Sequence, residues 1–211
     1  MGEDRPNISA AQVKALRDAT GAGMMDCKRA LEEAGGDAAA ATDILRARGL
    51  AGVEKRAGKE AREGVIGTYL HHNARVGVLV EVNSETDFVA NTDEFRALAR
   101  EIALHVASMD PRWVRREDVP PGVVERESRI AEAKAREMGR PEQVIPRIVE
   151  GMLGAFYKDQ VLLEQPYVRD DSRNVEDLVN DVAAKVGEKV AVRRFARFKV
   201  GEAAADGEAA S

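Results

Sequence analysis

Between residues 9 and 50, apolar side chains return every three or four positions: Val13 and Leu16, then Met24, Cys27 and Leu31, then Ala41, Ile44 and Leu45. That period is helical and predicts three short helices packed as one unit. Ser9 and Gln12 stand at capping-box spacing before the first helix, whose wet side carries Lys14, Arg17 and Asp18. "TGAG" (20–23) ends it, because glycine accepts the left-handed backbone of a helix stop. "GGD" (35–37) separates the second helix from the third, with Asp37 as N-cap and the stem of Arg48 laid along the third helix's apolar side. Met24 and Met25 are consecutive, so a helix buries only one of them and leaves a flexible thioether for a partner surface. Residues 54–63, "EKRAGKEARE", carry charge without an apolar stripe and read as a solvated connector.

From Val65 the period falls to two. Val76, Val78, Val80 and Val82 alternate along a half-buried strand, preceded by a partner over 65–72 and a hairpin loop at "HNAR" (72–75). "NSETDFVAN" (83–91) follows, a polar turn with Phe88 at its centre. A strong amphipathic helix comes next, with Phe95, Leu98, Ala99, Ile102 and Val106 on one face, Asn91 and Glu94 at capping-box spacing, and Asp110-Pro111 as its stop. Beyond a proline-marked loop, residues 123–139 predict a solvated helix, and Ile145, Ile148, Val149, Met152 and Phe156 predict another that packs on the sheet. "VLLEQPYV" (161–168) reads as an edge strand or turn interrupted by Pro166, and "RDDSRN" (169–174) as a loop. Asn174 caps a helix carrying Val175, Leu178, Val179, Val182 and Val186, which Gly187 ends. The closing strand is expected to place Val190, Val192, Ala196, Phe198 and Val200 on one face and a Lys/Arg-rich surface around Phe195 on the other.

These elements predict an α+β protein: a small three-helix N-terminal domain over 1–53, a charged linker over 54–63, an antiparallel sheet core covered by helices over 64–200, and a disordered tail over 201–211. The 211 residues and 44% hydrophobic content suffice for a real core. A near balance of 32 basic and 37 acidic residues, net −5, argues against nucleic-acid binding. No apolar run approaches the ~20 residues of a membrane span. The opening "MGEDRPN" lacks signal-peptide or transit-peptide character, and a lone Cys27 suits a reducing cytoplasm without a disulfide framework.

Candidate chemistry is sparse. His71 and His72 are sequence neighbours, which in a strand point to opposite faces and do not share a metal, while His105 sits within an amphipathic helix. Cys27 lies on an apolar stripe, which favours a buried structural thiol over a nucleophile beside Lys28. "TGAGMM" has neither phosphate-loop nor dinucleotide spacing, and no cofactor is expected. Asp170 and Asp171 form a lone acidic pair, open to a cation but more commonly just solvated in a loop, and Arg193, Arg194, Arg197 and Lys199 suit either a wet sheet face or contact with nucleic acid or an acidic protein. For Phe88 the residues leave two roles open: packing beneath its loop, or an exposed anchor for a partner.

"LRDATGAGMMDCKRALEEAGGD" (16–37) and "VEVNSETDFVAN" (80–91) resemble the two signatures of the bacterial elongation factor Ts family, and "VGEKVAVRRFARF" resembles its closing strand. The resemblance covers nearly all of 9–200, in the family's short form, and implies a single core subdomain without the longer form's coiled-coil insertion. It implies a ubiquitin-associated type of three-helix fold and a guanine-nucleotide exchange factor for elongation factor Tu, without covalent chemistry. By the same resemblance Arg17, Met24 and Met25 dock on the partner's GTPase domain, and Thr86, Asp87, Phe88 and Val89 intrude to dislocate its Mg²⁺ and phosphates. Ser84 stands where the family often has Cys. A homodimer through the core sheet, with Phe195 and Phe198 at the contact, is also implied. A docking adaptor that promotes no exchange is the alternative reading.

Overall fold

The computed structural model describes residues 8–202. The expected tail falls outside them from residue 203 onward, as does the opening stretch 1–7. Helix α1 (Ala10–Thr20) starts at a complete capping box, in which Gln12 N–H donates to Ser9 Oγ and Ser9 N–H donates back to Gln12 Oε1. It ends at Gly21, whose φ of 71° is the left-handed stop expected of "TGAG". α2 (Met24–Glu33) and α3 (Ala38–Arg56) follow, and Asp37 accepts the N–H groups of Ala39 and Ala40 at the start of α3. Val13, Leu16, Cys27, Ala30, Leu31 and Ala41 form one small core, with Ile44 and Leu45 against it. Arg48 departs from expectation: it is exposed and forms an ion pair with Glu33, so a carboxylate within reach, rather than the apolar groove, sets its direction. α3 also continues through residues 54–56, and the chain enters a strand at Glu63, which shortens the connector at both ends.

The sheet is antiparallel in the order β1-β2-β5, from β1 (Glu63–Leu70), β2 (Val76–Ser84) and the terminal strand β5 (Val190–Lys199). Val78, Val80 and Val82 point inward and are buried. α5 (Asp93–Met109) lies across that face, and a Cβ on Gly67 would stand 2.4 Å from the Ala99 carbonyl oxygen, so the helix reaches the strand's backbone itself. α8 (Val175–Val186) completes the inner layer. Its capping box joins Asn174 and Asp177, and Gly187 stops it at φ 70°. The result is an α+β fold with helices on one sheet face.

Several expectations change. α5 is capped by Thr92, whose Oγ1 accepts the Phe95 N–H at 3.3 Å, and not by Asn91. Asn91 instead closes a four-residue helix, α4 (Asp87–Ala90), by donating to the Asp87 carbonyl. Two caps fit in succession because each helix needs its own. β5 carries a bulge: Val192 faces Val82, but the next pair is Arg194 with Glu81. The extra residue, Arg193, inverts the alternation, so Phe195 faces Val80 and packs inward while Phe198 points outward.

α6 (Pro121–Glu137) and α7 (Ile145–Gln160) pair with each other as an antiparallel hairpin, and α7 does not pack on the sheet. A two-helix arm covers each stripe from one side only. In α7, accordingly, only Ile145 is buried while Ile148, Val149, Met152 and Phe156 remain half-covered. "RDDSRN" is not a plain loop: β4 (Asp170–Asn174) pairs with β3 (Pro166–Tyr167) as a bulged ribbon. No helix among the described residues is long and apolar enough to cross a membrane.

Candidate partner-docking site

β2 ends at Ser84, and the chain makes one tight helical turn before α5 begins. Thr86 caps that turn, its Oγ1 accepting the Val89 N–H. Ala90 is buried and Val89 half-buried, while Asp87 is exposed and Phe88 is 83% exposed. Of the two roles open for Phe88, core packing is therefore excluded: the turn is anchored through Ala90 and Val89, and the ring stands in water. An aromatic ring left in water on an ordered backbone is the form of a contact anchor.

The turn is held from a distance. The Glu188 carboxylate accepts the Thr86 N–H at 3.0 Å and the Thr86 hydroxyl at 2.7 Å. Its neighbour Lys189 donates its backbone N–H to Glu85 Oε1 at 2.7 Å, and Glu85 Oε2 accepts Lys59 Nζ at 2.6 Å. The Lys59 ammonium and the Lys189 N–H together hold the Glu85 carboxyl below the usual carboxylate range. Lys189 Nζ in turn donates to the carbonyls of Ala57 and Lys59. Sequence reasoning missed Glu85, Glu188, Lys189 and Lys59. Their partners lie up to 132 residues apart, and "GEK" after a helix stop carries no local signal.

In the helical unit, Arg17, Met24 and Met25 are all exposed, the methionines by 47% and 63%. The expectation that only one methionine would lie outside is corrected: α2 begins at Met24, and a first-turn residue has no preceding turn to pack on. Lys185 links this region with α5, the helix that follows the Phe88 turn. Its side chain passes 3.2 Å from where a Gly21 Cβ would lie, and its Nζ donates to Glu94 in the first turn of α5. α3 also lies close on α8, since a Cβ at Gly49 would fall 2.8 Å from Ala184 Cβ.

The remaining candidates resolve into structural roles. Cys27 is fully buried, its thiol directed at the Ala22 carbonyl. His105 is buried, with Nε2 3.0 Å from Gln165 Oε1 and Nδ1 accepting the Val168 N–H; burial pushes its pKa down, against the Gln165 hydrogen bond. His71 and His72 are not on opposite faces, since the hairpin loop turns their rings to 4.2 Å apart, and His71 Nδ1 lies 3.0 Å from Tyr69 Oη. Asp170 is occupied by Ser172. Among the described residues no cluster of three metal-ligating side chains occurs. On the outer face of the sheet, Ile66, Leu70, Leu79 and Phe198 lie exposed together across the three strands.

The fold and site define an α+β protein with a braced, solvent-facing aromatic turn and, among the described residues, an exposed apolar sheet face. Comparison with known proteins gives the family. The family model described as Elongation factor TS matches residues 50–204. A curated Elongation factor Ts of Thermoanaerobacter sp. (strain X514) is 54% identical over 195 residues, covering 92% of this chain and 96% of the relative. That of Geobacter metallireducens is 52% identical over 202 residues, 96% and 94% of the two chains, and that of Anaeromyxobacter dehalogenans 51% over 195 residues, 92% and 89%. The chain belongs to the elongation factor Ts family, and with it to the translation elongation factors.

Proposed function

We propose that this protein is a guanine-nucleotide exchange factor that binds elongation factor Tu·GDP in the cytoplasm and promotes GDP release, so that GTP can bind. The observation that carries the reading is Phe88, 83% exposed on a capped turn that other elements hold in place. Phe88 enters between elements of the GTPase domain with Asp87 beside it, Thr86 and Val89 shape the turn, and the partner's Mg²⁺ and phosphate site is disturbed. Arg17, Met24 and Met25 on the three-helix, ubiquitin-associated-like unit dock on the same domain.

The physics requires no covalent step. A GTPase that holds GDP at nanomolar strength has about 12 kcal/mol of binding free energy, so unaided release is slow. The factor must bind the nucleotide-free partner more tightly than the GDP-bound one, and GDP then weakens the factor's binding by the same ratio. A shift from about 1:99 to 99:1 takes about 5.5 kcal/mol of differential contact. One desolvated aromatic hot spot contributes about 2–4 kcal/mol, so Phe88 supplies a large share and the docking unit the remainder. Because Mg²⁺ needs near-ideal octahedral geometry, a small displacement of its ligands loosens both the ion and the phosphates it bridges.

The short form acts as a homodimer through the core sheet. The apolar outer face formed by Ile66, Leu70, Leu79 and Phe198 supports this contact, and the inward-facing Phe195 takes no part in it. The test of exchange is stopped-flow release of fluorescent GDP from Tu·GDP. Phe88→Ala should keep the fold and weak partner binding but lose most of the stimulated rate, and a wild-type rate in that variant refutes the reading.

A further inference from the structure

The Phe88 turn cannot hold itself. A helix of four residues lies below the length at which helical hydrogen bonds outweigh the cost of ordering the backbone, so α4 needs external constraint. Thr86 is where the constraint enters. Its carbonyl accepts the Ser84 hydroxyl at 2.8 Å, while its N–H and hydroxyl both go to Glu188, 102 residues away. The arrangement also orients the hydroxyl. With its proton committed to Glu188 Oε1, Thr86 Oγ1 turns a lone pair toward the Val89 N–H and caps α4. One carboxylate thereby fixes the turn's entry and its cap.

Glu188 is itself held by two rigid elements. It follows Gly187, the stop of α8, and precedes β5 by two residues. Beside it the Lys189 N–H grips Glu85, and Lys189 Nζ and Lys59 tie the same point to the end of α3. A side chain that pushes into another protein needs a support that does not yield, and ordering the turn before binding avoids that entropy cost in the complex.

We infer that Glu188 is a positioning residue for nucleotide exchange: its two-point hydrogen bond to Thr86 sets the orientation of Phe88 toward the GTPase. The inference rests on the proposed role of Phe88. Glu188 faces the start of the turn and acts through it, so its removal should affect the maximal rate of exchange more than docking.

The experiment is stopped-flow release of fluorescent GDP from Tu·GDP over a range of full-length factor, giving a maximal rate and a half-saturating concentration for each variant. Losing a hydrogen bond to a charged group corresponds to a drop of about tenfold, so Glu188→Ala should lower the maximal rate by about that factor. The half-saturating concentration should move less than about twofold, the split expected when docking contacts remain. Glu188→Gln keeps one acceptor and should fall between wild type and Glu188→Ala. Thr86→Val removes the same hydroxyl bond from the other side and should add little to Glu188→Ala. In the Phe88→Ala background, Glu188→Ala should have no further effect. An unchanged maximal rate in Glu188→Ala, while Phe88→Ala loses exchange, overturns the inference alone. An equal loss with and without Phe88 does the same, because Glu188 would then act elsewhere. A wild-type rate in Phe88→Ala overturns the proposed role of Phe88 and this inference with it. Thermal unfolding separates misfolding from mispositioning: should Glu188→Ala melt early, Glu188→Gln and Thr86→Val carry the same comparison.

Discussion

Phe195 faces Val80 across the β2–β5 ladder, although strict alternation from Val192 would turn it toward solvent. The bulge at Arg193 makes the difference: it exchanges the faces of the two phenylalanines of β5, turning Phe195 inward and Phe198 outward. Phe195→Ala should lower unfolding free energy by about 2 kcal/mol, below the range for a fully enclosed phenylalanine because the ring is only half-covered. Phe198→Ala should change the monomer by less than about 0.5 kcal/mol. It should, however, weaken self-association, read as a lower sedimentation mass at equal concentration. Equal urea midpoints for the two variants at low concentration would contradict the register.

Gly67 and Gly77 have opposite surroundings in the same hairpin. A Cβ at Gly67 would lie 2.4 Å from the Ala99 carbonyl oxygen, whereas at Gly77 the nearest atom is Leu70 Cδ1 at 3.7 Å. Gly67→Ala is expected to cost about 3 kcal/mol because backbone must move. Gly77→Ala should stay within about 0.5 kcal/mol of wild type. Urea denaturation of the two variants decides this.

His105 makes stability depend on pH. Its Nδ1 accepts the Val168 N–H, Gln165 Oε1 faces Nε2, and the Tyr167 ring stacks alongside, with its hydroxyl on Glu101 and Arg169 paired to the same carboxylate. Protonation would set one N–H against another, and burial holds the folded pKa below the ordinary 6.5. The unfolded chain therefore takes up the proton first, and stability falls as pH drops through the unfolded pKa. The slope from this one group is at most about 1.4 kcal/mol per pH unit. Urea midpoints measured between about pH 7 and pH 5 should decline, and His105→Gln should reduce the decline if this histidine causes it.

Met24 and Met25 are both exposed at the first turn of α2. The double variant Met24→Ala/Met25→Ala should leave the melting temperature near wild type. Its half-saturating concentration in the GDP-release assay should rise by about fivefold or more, with the maximal rate within about twofold, as expected when docking contacts alone are lost. A lowered maximal rate at unchanged half-saturation would reverse that assignment.

What the sequence by itself determined were the features whose partners lie within a turn or two along the chain. The Ser9–Gln12 and Asn174–Asp177 capping boxes, the Gly21 and Gly187 stops and the inward valines of β2 were all legible there, because each rests on a short-range hydrogen bond or on a simple period. So was the "TDFV" segment at the centre of the candidate site, as a residue pattern. Tertiary structure alone decided what that pattern does in space. An amphipathic stripe records that a helix has a cover but not which one, so α7 could be placed on the sheet until α6 was seen against it. One bulged residue inverted half of β5, since a period of two keeps no memory across an insertion. Glu188 and Thr86 meet only after the whole core between them has closed, and for that reason the brace beneath Phe88 left no local trace.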